Sequence, residues 1–282
     1  MTRILALAVG LSGTLVFAFG VPAGPTTLWE GSREADAIVI ARIEALKPDP
    51  NRKRGSRINE ESARLVVLNK LKGNPPDSIE VATDASVICP AGPDFLHGKT
   101  AVVFLHREGR AFSASPLYPA DNELDAFKAR IAEAVTLQAG KPSSAAEVDW
   151  AVRAASSKAT RWHGVMRLFE LDSNKIDARQ RKMIAAGFVA EPSLDESAAM
   201  VAELLEQHPD PEFDRALIST INNLIGQGEG ELAYAAIAAF ISRAGGDKSL
   251  LSRVDRKELR SDLDELRRAW GEARKTLKLP KP

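Results

Sequence analysis

One thiol, four imidazoles and one run of basic side chains are the groups in this chain whose chemistry could define a site. Cys89 follows Val87-Ile88 and precedes Pro90. As a nucleophile it would need a base, and His97 is the nearest by sequence, across a Gly/Pro-rich loop that also carries Asp94. Its apolar neighbours suit a buried structural thiol better. His97, His106, His163 and His208 show no His-x-x-x-His spacing, so no catalytic residue, metal site or cofactor is expected from them. His208, before Pro209, is expected to place a favourable cation at a helix end. No serine sits in a Gly-x-Ser-x-Gly elbow, and Gly226-Gln227-Gly228-Glu229-Gly230 reads as a turn between helices rather than a phosphate cradle. Adjacent carboxylates such as Glu60-Glu61 point to opposite faces of a strand and make no acid/base pair. The binding candidates are Arg52, Lys53, Arg54 and Arg57, in a cluster between Asp49-Pro50 and Glu60-Glu61. Trp150 and Trp162 are expected on one helical stretch and roughly one face, as core residues or as an aromatic anchor for a partner.

Composition narrows the classes. Thirty-eight basic residues cancel 38 acidic ones in 282, so the basic excess of a nucleic-acid protein is missing, and nucleic acid is not an expected partner. A single cysteine excludes intramolecular disulfides and cysteine-cluster metal sites. Arg3, the uncharged run Ile4 to Gly20 and the small-x-small Val21-Pro22-Ala23 have the layout of a secretory signal peptide over 1–23, cleaved before Gly24. The expected location is secreted or periplasmic, with no stable membrane insertion once that segment is removed.

The elements that would position these groups fall into two unlike halves, an α+β arrangement of two domains. Between 26 and 118 the apolar runs have strand length, at Ala37–Ile43, Ser62–Leu71, Ser78–Thr83, Thr100–Leu105 and Ala111–Ala114. Five short strands punctuated by Gly and Pro predict a small closed β-barrel or sandwich. From 122 to 282 the period becomes helical. Capping boxes are expected at Ser144–Glu147 and Ser193–Glu196, an N-cap at Asp210-Pro211, and C-caps at Gly226 and Gly245. A stretch from Val148 to Phe169 is broken at Ser156-Ser157. Leu259, Leu263, Leu266, Trp270, Ala273 and Leu277 form a seam in the helix expected over 255–278, which packs on its own domain or, alternatively, pairs two copies. The tandem helices suggest a bundle or a short HEAT-like helical repeat, although the residues themselves show no clean period.

The order of features in the β half is distinctive. Glu34–Arg42 opens it, Leu65–Gly73 and Ile79-Glu80-Val81 follow, and Cys89, Phe95 and Gly98-Lys99 then lead into the apolar strand Thr100–Leu105. This resembles the netrin-like barrels of the tissue inhibitors of metalloproteinases and their bacterial relatives. The resemblance covers about a third of the chain and implies a five-stranded OB-type barrel in an extracytoplasmic setting. The animal inhibitors chelate the protease zinc through an amino-terminal cysteine and carry many disulfides. With Cys89 alone, this chain does not inherit that mechanism.

The expected function is therefore that of an exported, non-enzymatic protein-interaction protein. One alternative is a hydrolase-type enzyme with a site in the interdomain cleft, built from Asp94, His97 or His106. The other is a binder of anionic surface polymers through the basic loop at 52–57.

Overall fold

The computed structural model describes residues 27–48, 61–83, 95–109, 111–171, 176–255, 259, 263–277 and 279. Five strands, β1 (Ala37–Pro48), β2 (Glu61–Lys72), β3 (Ser78–Thr83), β4 (Thr100–Glu108) and β5 (Ala111–Leu117), close into a barrel in the order β1-β2-β3-β5-β4. β1 runs antiparallel to both β2 and β4, and the short β3–β5 pair is parallel. Three register irregularities along β1–β2, from Ile38 to Ala45, let two 12-residue strands bend tightly enough to close.

Burial explains the two kinds of strand sequence. Inside the barrel sit Val39, Ala41, Ile43, Leu65, Ile79, Val81, Val103 and Leu105. The opposite faces of β1 and β4, carrying Ile38, Ile40, Val102 and Phe104, are buried too, against helices. Strands covered on both sides read as unbroken apolar runs, as Ala37–Ala41 and Ala101–Leu105 do. β3 has one wet face, where Ser78 and Glu80 are exposed, so it alternates.

A short helix precedes the barrel where no helix is expected from the sequence. In α1 (Leu28–Glu34) the Thr27 hydroxyl accepts from the Glu30 amide at 3.2 Å. Lys72 of β2 closes its other end, donating to the carbonyls of Ser32 at 2.8 Å, Arg33 at 3.2 Å and Ala35 at 2.5 Å. A cation on the last carbonyls of a helix meets the negative end of its dipole.

The helical half forms two layers. α2 (Leu124–Ala139) packs on α1, β2 and α3 (Ser144–Ser156). α3, α5 (Ala178–Ala190) and α7 (Pro211–Gln227) pack successively as one layer. α4 (Arg161–Glu170), α6 (Ser197–Leu204) and α8 (Gly230–Arg243) form the other. The first-layer helices start from N-caps Ser143, Asp177 and Asp210, which fall 34 and 33 residues apart. Neighbouring helices touch through glycine. A Cβ on Gly164 would lie 2.1 Å from the Ala155 nitrogen, and one on Gly187 would lie 2.1 Å from the Ser156 oxygen.

Several caps differ from expectation. Ser143, not Ser144, caps α3 and accepts from the Ala146 amide. Ser193 makes no capping box, because its hydroxyl is buried against Arg161 and α6 starts after Glu196. Gly228 in the left-handed region, φ 87°, ends α7 in place of Gly226. The Asp210-Pro211 start, the break at Ser156-Ser157 and a left-handed Gly245 just past α8 follow the sequence reading. In α9 (Asp264–Thr276) the seam residues Leu266, Trp270 and Ala273 are buried in their own chain, with Trp270 edge-on to Phe240 at 5.7 Å. The outer barrel face and the helices share one continuous apolar core.

Candidate functional site

The basic cluster Arg52, Lys53, Arg54 and Arg57 lies outside the described residues, as do Cys89, Asp94 and segment 1–23. The described histidines do not converge. His97 is exposed in the turn before β4, where the Gly98 amide donates to the Ile43 carbonyl at 2.7 Å. His106 is half-buried opposite Ser113 near the other end of β4, roughly 20 Å from the strand's start at 3.3 Å per residue. Among the described residues no three His, Cys, Asp or Glu side chains are grouped to hold a metal ion. No helix among them is long and apolar enough to cross a membrane.

Trp150 and Trp162 stand on different helices because the chain breaks between them. Trp150 is fully buried, donates its indole N–H to the Arg130 carbonyl at 2.9 Å and packs on Trp29 at 5.1 Å. Trp162 stays half-exposed on α4. His163 beside it is half-buried, edge-on to Phe127 at 5.6 Å and to Trp162 at 5.0 Å. Its buried Nδ1 has no hydrogen-bond partner among the described residues, and burial pulls its pKa down to about 4.

The arginines of the second layer point inward. Arg161 is fully buried, stacks over Phe188 at 5.1 Å, and donates to the carbonyls of Ala155 at 3.2 Å, Glu191 at 2.8 Å and Gly187 at 3.0 Å and to the Ser193 hydroxyl. Burial lowers its pKa to about 10, against the pull of Asp195 and Glu191. Arg243 repeats the arrangement over Phe213 at 4.9 Å, paired with Asp214 at 2.6 Å and donating to the carbonyls of Leu205 and His208. It is therefore Arg243, and not His208, that supplies the cation at the end of α6. His208 is held below the ordinary histidine value by burial and by its neighbours Arg181 and Arg243. Arg167 ties three helices together, reaching Glu30 of α1 at 3.6 Å, Glu147 of α3, and Glu170 at 2.6 Å. Burial opposes its charge, but the hydrogen bonds to Glu147 and Glu170 outweigh that and raise its pKa.

Because these cations are turned inward, the outer side of the second layer is apolar with an acidic border. Trp162, Met166 and Phe169 follow the i, i+4, i+7 spacing of one face of α4, and Phe169 is 37% exposed. Met200 of α6 is half-buried. α8 carries no charge from Leu232 to Ser242, although Ala235, Ala238, Ala239 and Ser242 reach solvent. A helix apolar all round is ordinarily covered all round. The segment Glu191–Asp247 holds eleven acidic residues against two basic ones, Arg215 and the buried Arg243. Glu170, Glu196, Glu203 and Glu231 are all exposed. The sequence reading named Trp162 as a candidate aromatic anchor but did not join it to Met166, Phe169 and the acidic helices as one surface. The acidic count over α6–α8 and the Trp162-Met166-Phe169 spacing were the available signals. Comparison with known protein families, with curated proteins and with solved structures found no match.

Proposed function

We propose that this chain is an exported, non-enzymatic interaction protein with two parts. A netrin-like, OB-type barrel over about 26–118 would carry a short helical repeat over about 122–282, and the second helix layer would be the contact surface. The observation that carries the reading is the half-exposed apolar face of α4, α6 and α8. The order β1-β2-β3-β5-β4 supports an OB-type barrel. The 34- and 33-residue spacing of N-caps supports a repeat. Two apolar clusters, one inside the barrel and one shared with the helices, support two parts joined by a buried seam.

The test immobilises the chain, challenges it with the exported fraction of its source cells, and compares it with a Met166→Gln/Phe169→Gln double variant. Expected is a protein retained by the parent and lost from the variant, forming a complex stable to gel filtration. Identical retention by both forms, or none by either, counts against the reading.

A further inference from the structure

The outer layer has a chemistry specific enough to describe its occupant. Its apolar side chains lie on three neighbouring helices, and packed helices stand about 8–10 Å apart, so the face is about 20 Å across. One α-helix, about 10 Å in diameter, fits across it. Trp162, Met166 and Phe169 offer large, adaptable apolar contacts at one end. The recessed alanines of α8 leave room for bulky side chains at the other.

Charge selects among occupants. The exposed Glu196 just before α6, Glu203 within it and Glu231 of α8, with Arg243 turned inward, set up a negative potential on this side of the layer. Nucleic acid and anionic lipid would be repelled. A segment with apolar residues at helical period and lysine or arginine beside them would satisfy both the apolar face and its acidic border. We propose that the outer face of α4, α6 and α8 docks a cationic amphipathic helix of a partner protein. This rests on the interaction reading above and adds the chemistry of the partner.

The probe is a synthetic Leu/Lys peptide of about five helical turns with leucines at helical period. It is titrated into the purified full chain by calorimetry, beside a scrambled peptide of the same composition and a Leu/Glu peptide of the same pattern. The periodic Leu/Lys peptide should bind at least about tenfold tighter than the scrambled one. Met166→Gln/Phe169→Gln should abolish that preference while leaving thermal unfolding cooperative. Glu196→Gln/Glu203→Gln should weaken both Leu/Lys peptides and flatten their salt dependence. Equal affinity for the periodic and scrambled peptides, a preference untouched by the Met166/Phe169 variant, or equally tight binding of the Leu/Glu peptide would each overturn the proposal. If capture from the exported fraction still depends on Met166 and Phe169 while the peptide preference is absent, the interaction reading stands and only the cationic-helix chemistry falls.

Discussion

The barrel and the helical layers handle charge in opposite ways. On the barrel, ion pairs stand in water and balance locally, as in Arg42–Glu44 at 2.7 Å, Arg64–Glu80 at 3.3 Å and Lys70–Asp77 at 2.8 Å. In the helical layers the guanidinium groups of Arg161 and Arg243 are buried as struts between helix ends. The first arrangement leaves a surface with little net potential and little energetic consequence. The second spends cations on architecture and leaves carboxylates outside. Charge burial thus both holds the helices in place and produces the acidic face proposed to bind.

The sharpest way to break this contrast is to remove a strut. Arg161→Met takes their arginine donor from the Glu191 carbonyl and the Ser193 hydroxyl, leaves the Gly187 carbonyl with the Glu191 amide alone, and loses the stacking on Phe188. A loss of about 2–4 kcal/mol is expected from the buried acceptors left unsatisfied, measured by urea unfolding. A loss below about 1 kcal/mol would mean that apolar packing, and not the arginine, joins α3 to α5.

The second effect depends on pH and lies at the seam between α2 and α4. An unfolded His163 binds a proton below about 6.5, whereas the folded ring resists protonation until about 4. Between those values the unfolded chain holds the extra proton, so stability is full above about pH 6.5 and falls as pH drops toward 4. The loss amounts to about 3 kcal/mol at most. His163→Phe should flatten most of that slope, with the depressed His208 leaving a small remainder. An unchanged slope in the variant would place the acid sensitivity elsewhere.

The two regions were also unequally legible. The strands of the barrel could be read from β-branched runs, because strand periodicity and burial on both faces leave a direct trace at Ala37–Ala41 and Ala101–Leu105. α1 could not. Seven residues hold too few turns for a period, and what fixes it is Lys72, which lies about forty residues further along the chain. The expected box at Ser193–Glu196 failed because a buried arginine took the serine, a contact that no local pattern announces. The even spacing of Ser143, Asp177 and Asp210 was present in the sequence, but N-caps are single residues whose rhythm appears only once the helices they start are known. Of the candidate site, the acidic excess from Glu191 to Asp247 can be counted in the sequence, but which of its carboxylates reach the outer face depends on how the helices pack.

Lys72 is intermediate between the two regimes. It belongs to the barrel, yet burial lowers its pKa, with nearby Asp36 opposing, as it caps α1. Lys72→Met should cost about 1–2 kcal/mol by leaving three carbonyls without a donor, and hydrogen exchange should speed up in α1 before the rest of the chain. Uniform acceleration would show that α1 unfolds only together with the barrel.

The smallest effect completes the contrast. Arg64 and Glu80 face each other across β2 and β3, with side chains 48% and 71% exposed. Water already solvates both ends, so their attraction is screened and offset by the cost of ordering two long side chains. Arg64→Gln should therefore shift unfolding by less than about 0.5 kcal/mol, and a Glu80→Gln partner variant should show no measurable coupling in a double-mutant cycle. Coupling above about 1 kcal/mol would mean that the barrel surface also uses charge for architecture, and the division between a neutral barrel and polarised helical layers would have to be redrawn.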